Sequence, residues 1–439
     1  MKPFILSALT AILPAGTLLA DTPQLWQSVG YGMIFELADD QATLYQQSSF
    51  ACLPLATSRD VAVTENGGRI DDLTITGVGR FTDKLTAEMY RNGDQLQVDF
   101  GKVSLISFDP LSTLPVACTQ SVSNDPATTF DVLWHFFNEH YAYFDQRGVD
   151  WDASYATYRP NLDGFLVGRG KLNDTISAML REIGDGHVNL FRLFGDEDFG
   201  TYPDWIDDLD GNAQTLIVQL IRNHVQGEVT QVGEAMGYGR TADNIGYIVL
   251  AGMEGGLVES GALAEAMADM QVMFDGVDAI VIDARINFGG DDELGFALAG
   301  YLTDTPVPIG SKDVYEKGEW LDVTDLVIEP AEITFDVPVY LFTTDLTISA
   351  GETFALALSQ FDNVTSVGMP THGTLSDMFY VALPNGWIAT LSNERYLDMA
   401  GNDFETHGVP VDIPVRINVA DLLAGEDASY DAMLTHLQR

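Results

Sequence analysis

The sequence has 439 residues, 46% of them apolar, so it exceeds one ordinary domain and supplies a large core. Sixty-five acidic residues face 21 basic ones, and the resulting formal charge of −44 argues against a binder of nucleic acid or of anionic membranes. The acidic residues are scattered and aromatic residues make up 10% of the chain, which argues against a disordered polyanion.

The first 20 residues have the pattern of a secretory signal peptide. Lys2 is followed by an uncharged, mostly apolar run over residues 4–20, which proline and glycine residues make too short for a membrane anchor. We expect cleavage after Ala20 or after Thr17, and no membrane span once this segment is removed. The expected location is extracytoplasmic, either periplasmic or secreted.

Export would place the only two cysteines of the sequence, Cys52 and Cys118, in an oxidising compartment. An oxidising compartment favours a disulfide between them, and two buried free thiols are the alternative. Neither cysteine has the basic neighbours that would make a reactive thiolate.

Residues 21–120 have the pattern of a small β-rich domain. Apolar and polar residues alternate over residues 32–37, 73–76 and 95–100, and turn residues separate these runs. This alternation predicts an antiparallel sheet or a small barrel. No catalytic group of residues is evident in this domain.

Helical spacing begins after Asp125 and Pro126, which suit a helix start. Together with a second predicted helix over residues 172–183, this pattern indicates a helical cap over residues 125–190. The following segment, residues 191–243, is predicted to be an acidic loop and a linker helix.

From residue 244 onward, predicted strands and helices alternate. The strands are predicted at residues 245–250, 279–283 and 339–342, and the helices at residues 257–274, 294–302 and 350–360. This alternation predicts an α/β core with right-handed crossovers over residues 244–420. Residues 421–439 are predicted to form a C-terminal tail helix.

Two places in this core have residues suited to acyl-transfer chemistry. Ser349 stands between a predicted strand and a predicted helix, where the free backbone N–H groups of the helix N-terminus favour a developing oxyanion. Taken alone, a serine in this position is more often a simple N-cap. Gly289 and Gly290 follow the preceding buried strand, where two glycines let the backbone turn its N–H groups toward a ligand, although an ordinary tight loop is the alternative.

The seven histidines do not have the paired spacing of a zinc site, so we expect no metal and no cofactor. His187 differs from the others because it lies in a Gly-Asp-Gly turn at the end of a predicted helix. A surface loop histidine is the alternative interpretation.

Together these segments resemble peptidase family S41, the C-terminal processing and tricorn-core type of serine protease. The resemblance covers about residues 125–418. Its motifs are Tyr141-Ala142-Tyr143-Phe144, Val149-Asp150-Trp151-Asp152, Asp185-Gly186-His187-Val188, Asn244-Ile245-Gly246-Tyr247, Asp283-x-Arg285-x-Asn287-x-Gly289-Gly290, Ser349-Ala350-Gly351-Glu352, Gly368-x-x-Thr371-x-Gly373 and Glu405-x-x-Gly408-Val409-x-x-Asp412.

The resemblance implies a crotonase- and ClpP-like α/β core and a role for each candidate residue. Ser349 would be the nucleophile, His187 the base that takes its proton, and Glu405 the acid that helps to hold the imidazole. The N–H groups of Ala350 and of Gly289 or Gly290 would form the oxyanion hole.

The sequence departs from the family pattern in three ways. Thr374 stands where the processing proteases keep a lysine base, which favours the histidine-based branch. Gly186 stands where that branch has a serine between the histidine and the glutamate, so the link from Glu405 could be direct, run through water or use Asp185. Only 57 residues separate His187 from Asn244, which leaves no room for a PDZ domain.

The leading interpretation is a secreted or periplasmic serine endopeptidase that acts on a peptide or protein substrate. His372 is the alternative base, because it lies in the turn where the other branch keeps its lysine. The alternative function is a catalytically weak ligand-binding or carrier protein on the same core, as in retinoid-carrying relatives of the family.

Overall fold

The computed structural model of this chain describes residues 24–38, 41–64, 67–75, 84–101, 105–164, 167–193, 195–209 and 213–438. The predicted signal segment, residues 1–20, lies outside the described residues.

The N-terminal domain is an antiparallel sheet that closes into a barrel. Its order is β4-β3-β2-β1-β9-β8-β7-β6-β5, and it closes because β6 pairs on one edge with both β5 and β4. The apolar face of each strand points into the barrel, as the alternation predicts. The strands are β1 Gln24–Ser28, β2 Met33–Ala38, β3 Gln41–Gln47, β4 Cys52–Ser58, β5 Asp60–Thr64, β6 Gly67–Ile75, β7 Lys84–Asn92, β8 Gln95–Asp99 and β9 Ile106–Pro110.

A disulfide joins the barrel to the segment that leaves it. Cys52 begins β4, and Cys118 lies in a 3₁₀ helix, Val116–Thr119. Their sulfur atoms are 2.02 Å apart, and the bridge closes a segment of 66 residues.

The cap segment contains three helices, α1 Pro126–His140, α2 Trp151–Tyr158 and α3 Arg169–Leu180. Helix α1 starts as its sequence dictates, because the Asp125 side chain accepts the Thr128 N–H at 3.0 Å and a proline stands at the first helical position. Its aromatic residues pack into a buried cluster with α3. The chain continues through β10 Asn189–Phe191, β11 Glu197–Asp198, a 3₁₀ helix Asp204–Leu209 and α4 Ala213–His224.

The core is a seven-stranded sheet of order β12-β13-β14-β15-β18-β19-β23. From β14 onward all neighbouring strands are parallel. The elements in chain order are β12 Thr230–Val232, β13 Met236–Arg240, β14 Ile245–Leu250, α5 Ala262–Met273, β15 Ala279–Asp283, α6 Asp292–Gly300, β16 Val307–Glu316, β17 Glu319–Ile328, β18 Val339–Thr343, α7 Ala350–Leu358, β19 Val364–Gly368, β20 Met378–Ala382, β21 Ile388–Ser392, β22 Glu394–Leu397, β23 Ile413–Pro414, α8 Val419–Ala424 and α9 Ala428–Leu437. The predicted fold class, a crotonase- and ClpP-like α/β core with a helical cap behind a β-rich domain, is confirmed.

Two smaller sheets connect the core to the other parts of the chain. Strands β16, β17 and β22 form one of them, and β10, β11, β20 and β21 form the other. Val314 on β16 and Ala382 on β20 are buried in the same cluster as the barrel interior. The barrel therefore packs against the core through these two strands.

The carboxyl ends of β15 and β18 lie side by side, because these strands are parallel neighbours. Each is followed by one of the loops in which sequence analysis found candidate residues. This edge of a parallel sheet is where ligands bind in α/β folds.

Candidate active site

Ser349 is held at the end of a short loop that follows β18. Thr347 donates its hydroxyl to the carbonyl of Ala284 at 2.7 Å, and Ile348 donates its N–H to the carbonyl of Asn287 at 2.8 Å. Both acceptors belong to the loop after β15. The two loops are therefore bonded to each other directly before Ser349.

The backbone of Ser349 is in a strained conformation, with φ of 56° and ψ of −125°. Such a conformation costs a non-glycine residue about 1–3 kcal/mol and occurs most often at functional sites. Helix α7 begins at the next residue, so the N–H of Ala350 has no acceptor within the helix. The serine hydroxyl therefore stands beside a helix N-terminus.

The carboxylate of Glu352 is fully buried and holds the Ser349 backbone in place through hydrogen bonds. Its Oε2 accepts the N–H groups of Ser349 at 3.2 Å and Thr374 at 2.7 Å. Its Oε1 accepts the Thr371 hydroxyl at 2.7 Å and the Gly373 N–H at 2.6 Å. Burial raises the pKa of Glu352, and these hydrogen bonds oppose that rise. One carboxylate thus joins Ser349 to the turn at residues 371–374.

Gly289 lies against Ser349. A Cβ atom on Gly289 would be 2.6 Å from the Ser349 Cβ, and its φ of 80° also favours glycine. The N–H of Gly289 donates to the side chain of Asn287 at 2.9 Å, so it is already used within the loop.

The N–H of Gly290 is better placed than that of Gly289 to donate to a ligand. In a parallel bridge, Met253 donates its N–H to the carbonyl of Gly289, and its own carbonyl accepts the N–H of Asp291. The N–H of Gly290 points to the opposite side of such a bridge. Gly290 also lines a cavity together with Ser349.

His187 is buried in the turn between α3 and β10, with 5% of its surface exposed. Its ring Nδ1 has no hydrogen-bond partner among the described residues, and no hydrogen bond joins its ring to the Ser349 hydroxyl there. Burial lowers the pKa of His187, and nearby His372 adds to this effect, while the charges of Asp185 and Asp377 oppose it. The ring is therefore neutral at pH 7 and able to accept a proton.

His187 and Ser349 are connected through the turn at residues 371–374. The position of a Cβ on Gly186, directly before His187, is 3.7 Å from the side chain of Thr374. Thr374 in turn donates its N–H to the same Glu352 oxygen as Ser349. Ser349 and the residue before His187 thus both lie next to the 371–374 turn.

Asp185 holds the turn that carries His187. Its Oδ1 accepts the His187 backbone N–H at 2.8 Å, and its Oδ2 accepts the hydroxyls of Tyr141 at 2.8 Å and Ser392 at 2.9 Å. Burial alone would raise the pKa of Asp185, but the charge of Arg147 and the hydrogen bonds outweigh it and lower the pKa. Asp185 is therefore ionised at neutral pH.

Glu405 is buried close to this group, but it does not bond the imidazole directly. Its Oε2 accepts the N–H groups of Leu375 at 2.7 Å and Ser376 at 3.1 Å. Arg147 lies between the two acids, 3.4 Å from Glu405 Oε1 and 3.7 Å from Asp185 Oδ2. Burial raises the pKa of Glu405, and the charge of Asp185 raises it further.

His372, the alternative base, has partners for both ring nitrogens. Its Nδ1 lies 2.6 Å from the Thr374 hydroxyl, and its Nε2 lies 2.8 Å from the carbonyl of Thr201. A base needs an unoccupied nitrogen, so this arrangement favours His187 for the role.

Glu352 and Arg147 are two residues of the site for which the sequence predicts no role. The spacing Ser-x-x-Glu across residues 349–352 is the signal of a capping box and could have identified Glu352. No local signal points to Arg147, because its two acidic partners are distant in the sequence.

Within the described ranges, no group of three His, Cys, Asp or Glu side chains is placed to hold a metal ion. Among the helices of those ranges, none has the length and apolar composition that a membrane crossing requires.

Two segments of the chain match models of known families. Residues 244–415 match peptidase family S41, and residues 123–180 match the tricorn protease C1 domain. None of the curated proteins matches the sequence.

Solved structures share the fold. A protein from Parabacteroides merdae, described as a peptidase, is 24% identical with a TM-score of 0.62, and the match covers 72% of this chain and 98% of that one. Mature CPAF is 12% identical with a TM-score of 0.52, and the match covers 71% of this chain and 95% of that one.

Proposed function

The chain belongs to peptidase family S41, and we propose that it is an exported serine endopeptidase with Ser349 as nucleophile and His187 as general base. The observation that carries this proposal is the strained backbone of Ser349 at the start of α7, directly against Gly289. Strain at a serine between a strand and a helix is typical of nucleophiles that must stand clear of the backbone.

The proposed reaction is acyl transfer to Ser349. The serine oxygen attacks the carbonyl carbon of the scissile peptide bond while His187 takes the hydroxyl proton. The N–H groups of Ala350 and Gly290 stabilise the resulting oxyanion. His187 then gives the proton to the leaving amine, and water hydrolyses the acyl-enzyme with His187 again as the base.

We expect the Ser349–His187 hydrogen bond to form in the complex with substrate, because catalytic hydrogen bonds often tighten only there. The lowered pKa of His187 has a kinetic consequence. The rate should rise with pH through a limb that lies below the ordinary histidine value of about 6.5, because only the neutral ring accepts a proton.

We assign the orientation of His187 to the group formed by Asp185, Arg147 and Glu405. Asp185 fixes the backbone of His187, and Glu405 fixes the backbone of Ser376. A hydrogen bond to the Ser376 backbone opposes the lowering of the His187 pKa that burial causes. Glu405 thus acts on the His187 ring indirectly, through Ser376.

The proposal is tested by peptide profiling of the wild type beside Ser349→Ala, with and without a chelator. We expect hydrolysis that survives EDTA, stops with serine-directed reagents and falls by more than about a thousandfold in Ser349→Ala. Loss of activity in EDTA that zinc restores would contradict the serine mechanism.

A carrier function is the second candidate, because a cavity of about 340 Å³ with largely apolar walls lies beside Ser349. A carrier would bind an apolar ligand and leave a fluorophosphonate probe unreacted. A serine peptidase would be labelled at Ser349.

A further inference from the structure

The cavity beside Ser349 is formed where the open end of the N-terminal barrel meets the core. Its volume is about 340 Å³, and Ser349 and Gly290 form part of its lining. The barrel contributes an apolar wall made of Met33, Leu44, Leu55, Ile75, Phe100 and Ile106. We call this cavity the barrel-mouth pocket.

The charged residues of the barrel-mouth pocket are paired within the protein. Asp377 and Glu394 line it, and the buried Lys312 amino group lies 3.1 Å from the first carboxylate and 3.2 Å from the second. The Tyr31 hydroxyl donates to Glu394 at 2.5 Å. A ligand side chain therefore meets an apolar wall and a paired group with an excess of negative charge.

Asn393 adds a buried amide without a hydrogen-bond partner among the described residues to the lining of this pocket. It lines the pocket, only 1% of its surface is exposed, and neither atom of its side-chain amide has a partner among the described residues. Buried amides are nearly always hydrogen-bonded, and a peptide backbone carries both a donor and an acceptor.

We propose that the barrel-mouth pocket selects a large apolar side chain of the substrate, at a position next to the scissile bond. This inference rests on the proposed peptidase function, because a peptide that acylates Ser349 places a neighbouring residue in the cavity that Ser349 lines. The barrel lies outside both segments that match the families. It would thus supply substrate selection without the PDZ domain for which the 57 residues between His187 and Asn244 leave no room.

The pocket has two consequences for substrate choice. A Phe or Leu residue at the selected position should be cleaved about 10- to 100-fold better than Ala, the range that added methylenes reach in an apolar pocket. Asp at the same position should be rejected, because the paired group already carries more acidic than basic side chains.

Neighbouring residues of β6 provide the test. Ile75 lines the pocket and is half-buried, whereas Thr74 is exposed on the other face of the same strand. Cleavage sites of the wild type are first mapped by mass spectrometry, and two peptides are made that differ only in Phe or Ala at the apolar position. Their kcat/KM values are then compared in Ile75→Trp and Thr74→Trp.

We expect Ile75→Trp to lower kcat/KM for the Phe peptide at least about tenfold and to change the Ala peptide less than about threefold, because the indole fills the pocket. Thr74→Trp should keep the wild-type ratio. An unchanged ratio in Ile75→Trp, or wild-type cleavage without an apolar preference, would overturn the proposal. If circular dichroism shows that Ile75→Trp is unfolded, Ile106→Trp on β9 replaces it.

Binding of the same peptides to Ser349→Ala, followed by fluorescence anisotropy, separates this proposal from the proposed function. Hydrolysis by the wild type without a Phe preference in binding contradicts the pocket alone. A Phe preference in binding without any hydrolysis contradicts the peptidase and supports the pocket.

Discussion

Replacement of Glu352 by Gln should weaken both the fold and the position of the nucleophile. The two carboxylate oxygens accept four hydrogen bonds, from Ser349, Thr371, Gly373 and Thr374. A glutamine has one acceptor oxygen and one NH₂ group, so in either orientation the NH₂ group faces at least one backbone N–H. With the oxygen turned toward Ser349 and Thr374, the N–H of Gly373 loses its acceptor.

The expected loss is set by two opposing effects. A hydrogen bond to a charged group contributes about 1.5–3 kcal/mol, and the lost bond is of this kind. Burial raises the pKa of Glu352, so removal of the buried charge returns part of that energy. We expect the free energy of unfolding to fall by about 1–3 kcal/mol and kcat to fall about 10- to 100-fold, because Ser349 and the 371–374 turn shift relative to each other.

The assay is urea unfolding beside kcat for a cleaved peptide, with the concentration of active sites determined by fluorophosphonate titration. Glu265→Gln is the control, because Glu265 also lies in the first turn of a helix but is exposed. Its effect on unfolding should stay within about 0.5 kcal/mol. If Glu352→Gln behaves like this control in both measurements, the carboxylate does not hold the serine loop and the reasoning is wrong.

Three further predictions concern other buried groups. Alkylation of the unreduced protein should leave no modified thiol by mass, and reduction of the Cys52–Cys118 bridge should lower the free energy of unfolding by about 2–4 kcal/mol. Two alkylated thiols before reduction would refute the bridge. Burial lowers the pKa of His140 to about 4, so the unfolded chain binds the proton more tightly and stability falls as the pH drops from about 6.5 toward 4, by about 3 kcal/mol in all. His140→Phe should flatten this part of the pH curve in urea unfolding, and equal slopes for both proteins would contradict it. Glu405→Gln should lower kcat about 10- to 1000-fold with little change in KM, but if it is fully active while Asp185→Asn is inactive, then Asp185 is the orienting acid.

The core strands could be predicted almost to the residue. The strands Ile245–Leu250 and Ala279–Asp283 are buried on both faces, so they stand out as continuous apolar runs between turn residues. Helix α5 was expected to start near residue 257 but begins at Ala262. The residues before it form turns that end at Gly261, whose φ is 80°.

The hairpin β16–β17 was not predicted. Its strands, Val307–Glu316 and Glu319–Ile328, contain many charged residues and two register shifts, which interrupt the alternation that identifies a strand. Lys312 is buried there only because Asp377 and Glu394 surround it. Such pairing arises from the tertiary structure and leaves no local pattern.

The candidate site also contains contacts that the sequence predicts and contacts that it does not. Ser349 and Gly289 could be brought together from the sequence, because adjacent parallel strands end at one edge of a sheet. The contact between Arg147 and Glu405 could not be predicted from the sequence, because these residues are 258 positions apart. The barrel mouth faces Ser349 because of how two separate surfaces pack, which no repeat or motif encodes.

The most direct test of the proposed active site is the rate and position of fluorophosphonate labelling, measured by intact mass and peptide mapping at pH 7. We expect a single adduct on Ser349, with labelling slowed at least about a hundredfold in His187→Ala and largely retained in His372→Ala. No adduct, an adduct on another residue, or labelling that depends on His372 rather than His187 would contradict it.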